Sequence, residues 1–168
     1  MTQICKSCQA EFTFTPGQEP NIADGICHTC ALELTGNNGL AKAREVLDAI
    51  DAPVLLMQSN PRQVLTANKQ ALELFGKELG QVENHRGGQV FDCIHSFTEL
   101  GCGKDPHCED CKIKGAIVDT FTIGDPFDGV TTPLEIKKGS RTQTYAMQVS
   151  TEKIGELALV RIDRYKSA

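Results

Sequence analysis

Eight cysteines carry most of the chemistry this chain can do, and they divide into two sets of four. The first set is Cys5-x2-Cys8, eighteen further residues, then Cys27-x2-Cys30; the second is Cys93-x8-Cys102-x5-Cys108-x2-Cys111. Sixty-two residues without a cysteine separate the sets, so two structural units are expected. Two Cys-x2-Cys pairs can each donate two sulfurs to one tetrahedral ion, and the N-terminal set is therefore expected to bind zinc. The second set suits a zinc ion or an iron–sulfur cluster equally, the cluster adding redox or oxygen sensitivity. A redox-active thiol or disulfide pair is the remaining alternative there. Gly101 and Gly103 beside Cys102 let backbone amides approach the sulfurs, which serves either metal.

The neighbours of these cysteines add little chemistry of their own. His28 lies inside the second Cys-x2-Cys pair and is expected to face outward, while His95 and His107 flank a set that four sulfurs already complete. His85 sits in the polar run Glu83-Asn84-His85-Arg86 and is expected to be solvated. Glu99, Asp105, Glu109 and Asp110 surround the second set, and negative neighbours disfavour the thiolate, which argues against a catalytic cysteine. The chain has no Gly-x4-Gly-Lys loop, no Gly-x-Ser-x-Gly elbow and no His-Glu-x2-His helix. A non-enzyme is expected, with a small thiol-disulfide oxidoreductase as the enzymatic alternative.

Length and charge bound the rest. A chain of 168 residues can hold one ordinary domain and a small appendage. A net charge of -5 argues against nucleic acid, whose phosphates need clustered Lys and Arg. The most apolar run, Val54-Leu55-Leu56-Met57, is far short of the roughly 20 residues of a membrane span, and Met1-Thr2-Gln3-Ile4-Cys5 does not open a signal peptide. The expected compartment is cytoplasmic, where thiols serve as ligands more often than as disulfides.

The elements that must position these sulfurs follow from periodicity and punctuation. Residues 1–35 contain few apolar side chains, among them Ile4, Phe12, Phe14, Ile22, Ile26, Leu32 and Leu34, so a metal would have to supply much of the folding free energy. Turns at Pro16-Gly17 and Asp24-Gly25 would fold the two pairs together. Residues 36–40 form a linker. Ala43, Val46, Leu47 and Ile50 make a helical stripe stopped by Pro53, and strands follow at 54–58 and 63–67. Asn68 caps a helix over 69–75 that Gly76 closes. Residues 77–110 have little periodicity and six glycines or prolines, a stretch costly to order without a clamp. A helix over 112–121 and three strands, 131–137, 142–150 and 156–163, complete the chain.

Ala52-Pro53-Val54-Leu55-Leu56-Met57, then Val64-Leu65-Thr66-Ala67-Asn68 and Leu74-Phe75-Gly76, resemble the opening of a PAS domain. The resemblance covers about residues 41–164, leaving a tail at 165–168. The segment from Phe91 to Ile113 resembles a cysteine-rich insertion of some bacterial PAS proteins, and Asp24-Gly25-Ile26-Cys27-His28-Thr29-Cys30 a zinc-ribbon knuckle. The resemblance implies an α+β fold, a PAS-like five-stranded antiparallel sheet with helices on one face, plus a small zinc-ribbon-like module at 1–35. It also implies a stand-alone sensor of a redox, gas or small-ligand signal. In that reading, change at the second four-cysteine set reorders the glycine-rich loop and the 112–121 helix. No output module is expected on the chain, so the signal would leave through a homodimer, formed by the Leu40 to Ile50 helix, or through a separate signalling kinase or regulator. A metal-stabilised structural or adaptor module is the alternative.

Overall fold

A computed structural model describes residues 2–13, 22, 24–35, 39–97 and 111–167. Cys102 and Cys108, with Gly101, Gly103, His107, Glu99, Asp105, Glu109 and Asp110, lie outside the described residues, as do the Pro16-Gly17 turn and residues 36–38.

The N-terminal segment forms a small hairpin, β1 (Thr2–Ile4) with β2 (Glu11–Thr13), and a short helix α1 (His28–Glu33). Next come α2 (Leu40–Asp48), β3 (Val54–Ser59), β4 (Arg62–Ala67), α3 (Lys69–Phe75), α4 (Gly87–Phe91), α5 (Lys112–Ile123) and the meander β5 (Phe127–Lys138), β6 (Arg141–Ile154) and β7 (Leu157–Ser167). Two 3-10 turns, Leu79–Gln81 and Ile94–Phe97, stand among the short helices. Strands β3 to β7 build one antiparallel sheet in the order β4-β3-β7-β6-β5. The architecture is α+β.

Asn68 is the joint of the early elements. Its side-chain oxygen accepts from the Ala71 amide, capping α3, and from the Val54 amide at the start of β3. Its amide nitrogen donates to the carbonyls of Leu47 and Ala52. The Gly76 backbone, at φ 62°, ends α3 in the left-handed conformation that glycine adopts without a Cβ penalty.

Because successive strand residues point to opposite faces, the sheet has two cores. On one face Leu55, Met57, Val149, Val160 and Ile162 pack with Phe75 of α3, Phe91 of α4 and Ile113 and Ile117 of α5. The opposite face carries a second apolar layer. Val54, Leu56 and Leu159 are fully buried there under the α2 stripe of Ala43, Val46, Leu47 and Ile50. Ile22, Ile26, Leu34 and three of the N-terminal cysteines join the same layer, with Ile154 and Leu157 at its margin. The few apolar residues of the N-terminal segment therefore pack on the sheet. The α2 stripe expected to face a second copy is turned inward, with Val46 and Leu47 essentially unexposed.

Candidate metal centre

Local hydrogen bonding brings the first four sulfurs together. Cys5 directly follows β1 and begins a tight turn in which the Gln9 amide donates to the Cys5 carbonyl and the Cys5 amide to the Ala10 carbonyl. Gln9 adopts a φ of 65° to close it. The second pair stands on the N-terminus of α1, where the Cys27 sulfur caps the helix by accepting from the Cys30 amide at 3.5 Å. A bond from the Lys6 amide to the Gly25 carbonyl, 2.9 Å, ties the two loops to each other. Gly25 has a φ of 81°, a left-handed conformation that favours glycine.

The Sγ atoms of Cys5, Cys8, Cys27 and Cys30 all lie within 4.8 Å of one another, and those of Cys8 and Cys27 are 3.8 Å apart. Four zinc–thiolate bonds of about 2.3 Å in a tetrahedron require sulfur separations of about 3.8 Å. The Cys5 sulfur also accepts from the amides of Cys27 at 3.3 Å, Ser7 at 3.4 Å and Cys8 at 3.5 Å. Burial pushes the Cys5 thiol up, but these N–H donors outweigh it and bring it down to about 6. Burial, followed by the neighbouring sulfurs, drives Cys30 up to about 12, and burial also raises Cys27. Opposed shifts of this kind arise when several thiols share one small space, a space that a dication with four sulfur bonds would neutralise. Cys5, Cys27 and Cys30 are buried and Cys8 is exposed. The donor set and its spacing fit a thiolate-bound metal.

The second set is described in part. Cys93 is buried at the end of α4, where its amide donates to the Gly88 carbonyl and its carbonyl accepts from the Ser96 amide and hydroxyl. A bridge to Ile136 and a bond from the Lys137 amide to the Asp92 carbonyl fasten this point to β5. Cys111 stands at the N-cap position of α5, its carbonyl accepting from the Gly115 amide, and is half-buried against the helix-covered core. These two sulfurs occupy the two ends of the segment that holds Cys102 and Cys108.

The histidines are distributed as follows. His28 opens α1 and is exposed. His85 is half-buried, its Nδ1 2.9 Å from the Glu83 carbonyl and its backbone bridged to Val64. His95 lies in the 3-10 turn after Cys93.

One cluster escaped the sequence reading. Arg161 of β7 donates to Asp163 at 2.6 Å and to the Ser150 hydroxyl at 3.1 Å, and lies 3.5 Å from Asp128. These residues face hollows of about 340 and 500 Å³ that share Ile22 and Arg161, between the N-terminal segment and the sheet. The only signal available in the sequence was alternation along β6 and β7, which puts Ser150, Arg161 and Asp163 on the face that also carries Leu159.

Comparison with known proteins bears on the fold. Residues 41–109 match the model of the family described as PAS domain. No curated protein matches the chain. A variant of RsLOV is similar at 15% identity and a TM-score of 0.50, covering 72% of this chain and 64% of its own. The LOV protein of Rhodobacter sphaeroides stands at 14% identity and 0.49, over 72% of this chain and 63% of its own. The PAS domain of nitrogen regulation protein NR(II) from Vibrio parahaemolyticus stands at 14% and 0.43, over 71% and 94%. This chain thus spans less than two thirds of the length of either LOV structure. The five-stranded antiparallel sheet with its helices has the fold of PAS domains, and residues 41–109 are similar in sequence to that family.

Proposed function

We propose that this chain is a PAS sensor in which a zinc ion held by Cys5, Cys8, Cys27 and Cys30 fastens the N-terminal segment to the sheet. The observation that carries the reading is the sulfur cluster, whose separations stay within 4.8 Å and whose members share one apolar layer with α2, β3 and β7. A metal bound there is linked to the folding of everything packed around it. Residues 1–35 then act as a module joined to a sensor domain over 41–164.

Cys93, Cys102, Cys108 and Cys111 are proposed to hold either zinc or an iron–sulfur cluster. Zinc would anchor the loop, and a cluster would make it the sensor of a redox or gaseous signal. The signal leaves through protein contacts, with a second copy of the chain or with a separate kinase or regulator. Because α2 spends its apolar stripe on the chain's own sheet, such contacts must use other surface.

The enzymatic alternative needs an activated thiol open to substrate. The thiol brought down to about 6 belongs to Cys5, which is fully buried, and this supports binding over turnover. The testing experiment is metal analysis with an absorption spectrum on anaerobically purified protein. Two zinc ions per chain in a colourless sample support two zinc sites; broad absorption near roughly 400 nm with one zinc supports a cluster at the second. No metal at all would overturn the reading.

A further inference from the structure

We propose that the N-terminal cluster is an oxidant-operated clamp, in which a hydroperoxide enters at Cys8, expels the zinc and uncovers the second face of the sheet. This rests on the zinc reading above and adds regulation to that site. Three observations carry it. Of the four sulfur-bearing residues only Cys8 is exposed, so a small oxidant meets that one first. Its sulfur lies 3.8 Å from that of Cys27, close enough for a disulfide to form with a small movement. Cys27 is also the cap of α1, the helix whose following residue Leu34 is fully buried in the layer over Val54, Leu56 and Leu159.

The chemistry balances with a hydroperoxide as the named oxidant. The Cys8 thiolate attacks one peroxide oxygen, an S–O bond forms, the O–O bond breaks, and the departing hydroxide takes a proton from solvent to become water. The Cys27 thiolate then attacks the sulfenic sulfur of Cys8. An S–S bond forms, the S–O bond breaks, and a second hydroxide leaves and is protonated. Two thiolates, one hydrogen peroxide and two protons become one disulfide and two waters. Zinc loses two of its four ligands and departs.

The structural consequence follows from what Cys27 does. A Cys27 sulfur drawn into a disulfide loses its charge and moves toward Cys8, so it accepts the Cys30 amide more weakly, and α1, only six residues long, has little propensity to persist with its cap weakened. Leu34 and Ile26 are then free to leave the sheet, exposing β3 and β7 side chains together with the inner edge of α2. The cytosolic thiol pool reverses the step by exchange.

The test treats the full zinc-loaded chain with hydrogen peroxide and follows zinc release with a chromogenic chelator, disulfides by mass spectrometry, and hydrogen exchange over α2. The expected result is a Cys8–Cys27 disulfide, release of the N-terminal zinc, and exchange in α2 faster by about tenfold or more. Cys8→His keeps a zinc-binding side chain but removes the exposed thiol, and is expected to retain the metal while slowing its release by about tenfold. Zinc present but retained under peroxide, or a disulfide that leaves α2 exchange unchanged, overturns the clamp and leaves the zinc reading standing. Absence of zinc from the untreated protein overturns the zinc reading itself. If Cys8→His does not fold, acid-quenched alkylation of the native chain replaces it, and any order of oxidation in which Cys8 is not first sinks the proposal.

Discussion

Asn68 is 1% exposed yet its side chain makes four hydrogen bonds, to Val54, Ala71, Leu47 and Ala52. Replacing it with alanine strands the amides of Val54 and Ala71 and the carbonyl of Ala52, while the Leu47 carbonyl keeps the Ile50 amide. At about 1 kcal/mol or more for each buried group left unsatisfied, Asn68→Ala should cost about 3 kcal/mol or more in a urea titration. A loss under about 1 kcal/mol would mean that water replaces the amide. Tyr165 makes a different kind of contact, donating to the Phe91 carbonyl at 2.7 Å and stacking edge-on against Phe75. Burial, then the charge of Asp92, raises its phenol above the ordinary 10.0. A raised folded value means that its contribution is complete below pH 10 and is lost as pH rises beyond it. Tyr165→Phe should therefore lower stability at neutral pH and flatten the decline of stability above pH 10, measured by thermal melts across pH.

At the scale of elements, α2 decides how the N-terminal segment is held. Its residues Val46 and Leu47 face the sheet together with Ile22, Ile26 and Leu34. Leu47→Ala should cost about 3 kcal/mol through the cavity it leaves, and Val46→Asp should unfold this layer at any protein concentration. A Val46→Asp chain that kept its fold while changing only its association state would show that the stripe faces a partner. Much of this was legible beforehand. The 69–75 helix between Asn68 and Gly76 was readable because both ends carry cap residues, and α3 spans Lys69–Phe75. The late strands were readable from alternation, but Phe127–Lys138, Arg141–Ile154 and Leu157–Ser167 run longer, because exposed polar residues such as Arg141, Arg164 and Lys166 sit in the ladder without adding an apolar signal. Helices α1 and α4 were not readable. Six and five residues give too few turns for a periodic pattern, and both depend on tertiary contacts. The second core was hidden for another reason. Ile22, Ile26 and Leu34 are too few to bury one another, and only the three-dimensional position of the sheet supplies their partners.

At the scale of the molecule, the PAS-like five-stranded sheet carries two apolar layers, and the second is closed by a segment in which four thiols stand together. Whether a metal joins them is the central claim, since it turns a short N-terminal hairpin and helix into a fixed cover. Hydrogen exchange of the full chain with and without a strong zinc chelator tests it most directly, read peptide by peptide. The account predicts that chelation raises exchange in residues 24–35 and in α2 by about tenfold or more while β5, β6 and α3 stay protected, and that added zinc restores the first pattern. Identical exchange in 24–35 and α2 with and without chelator would contradict it.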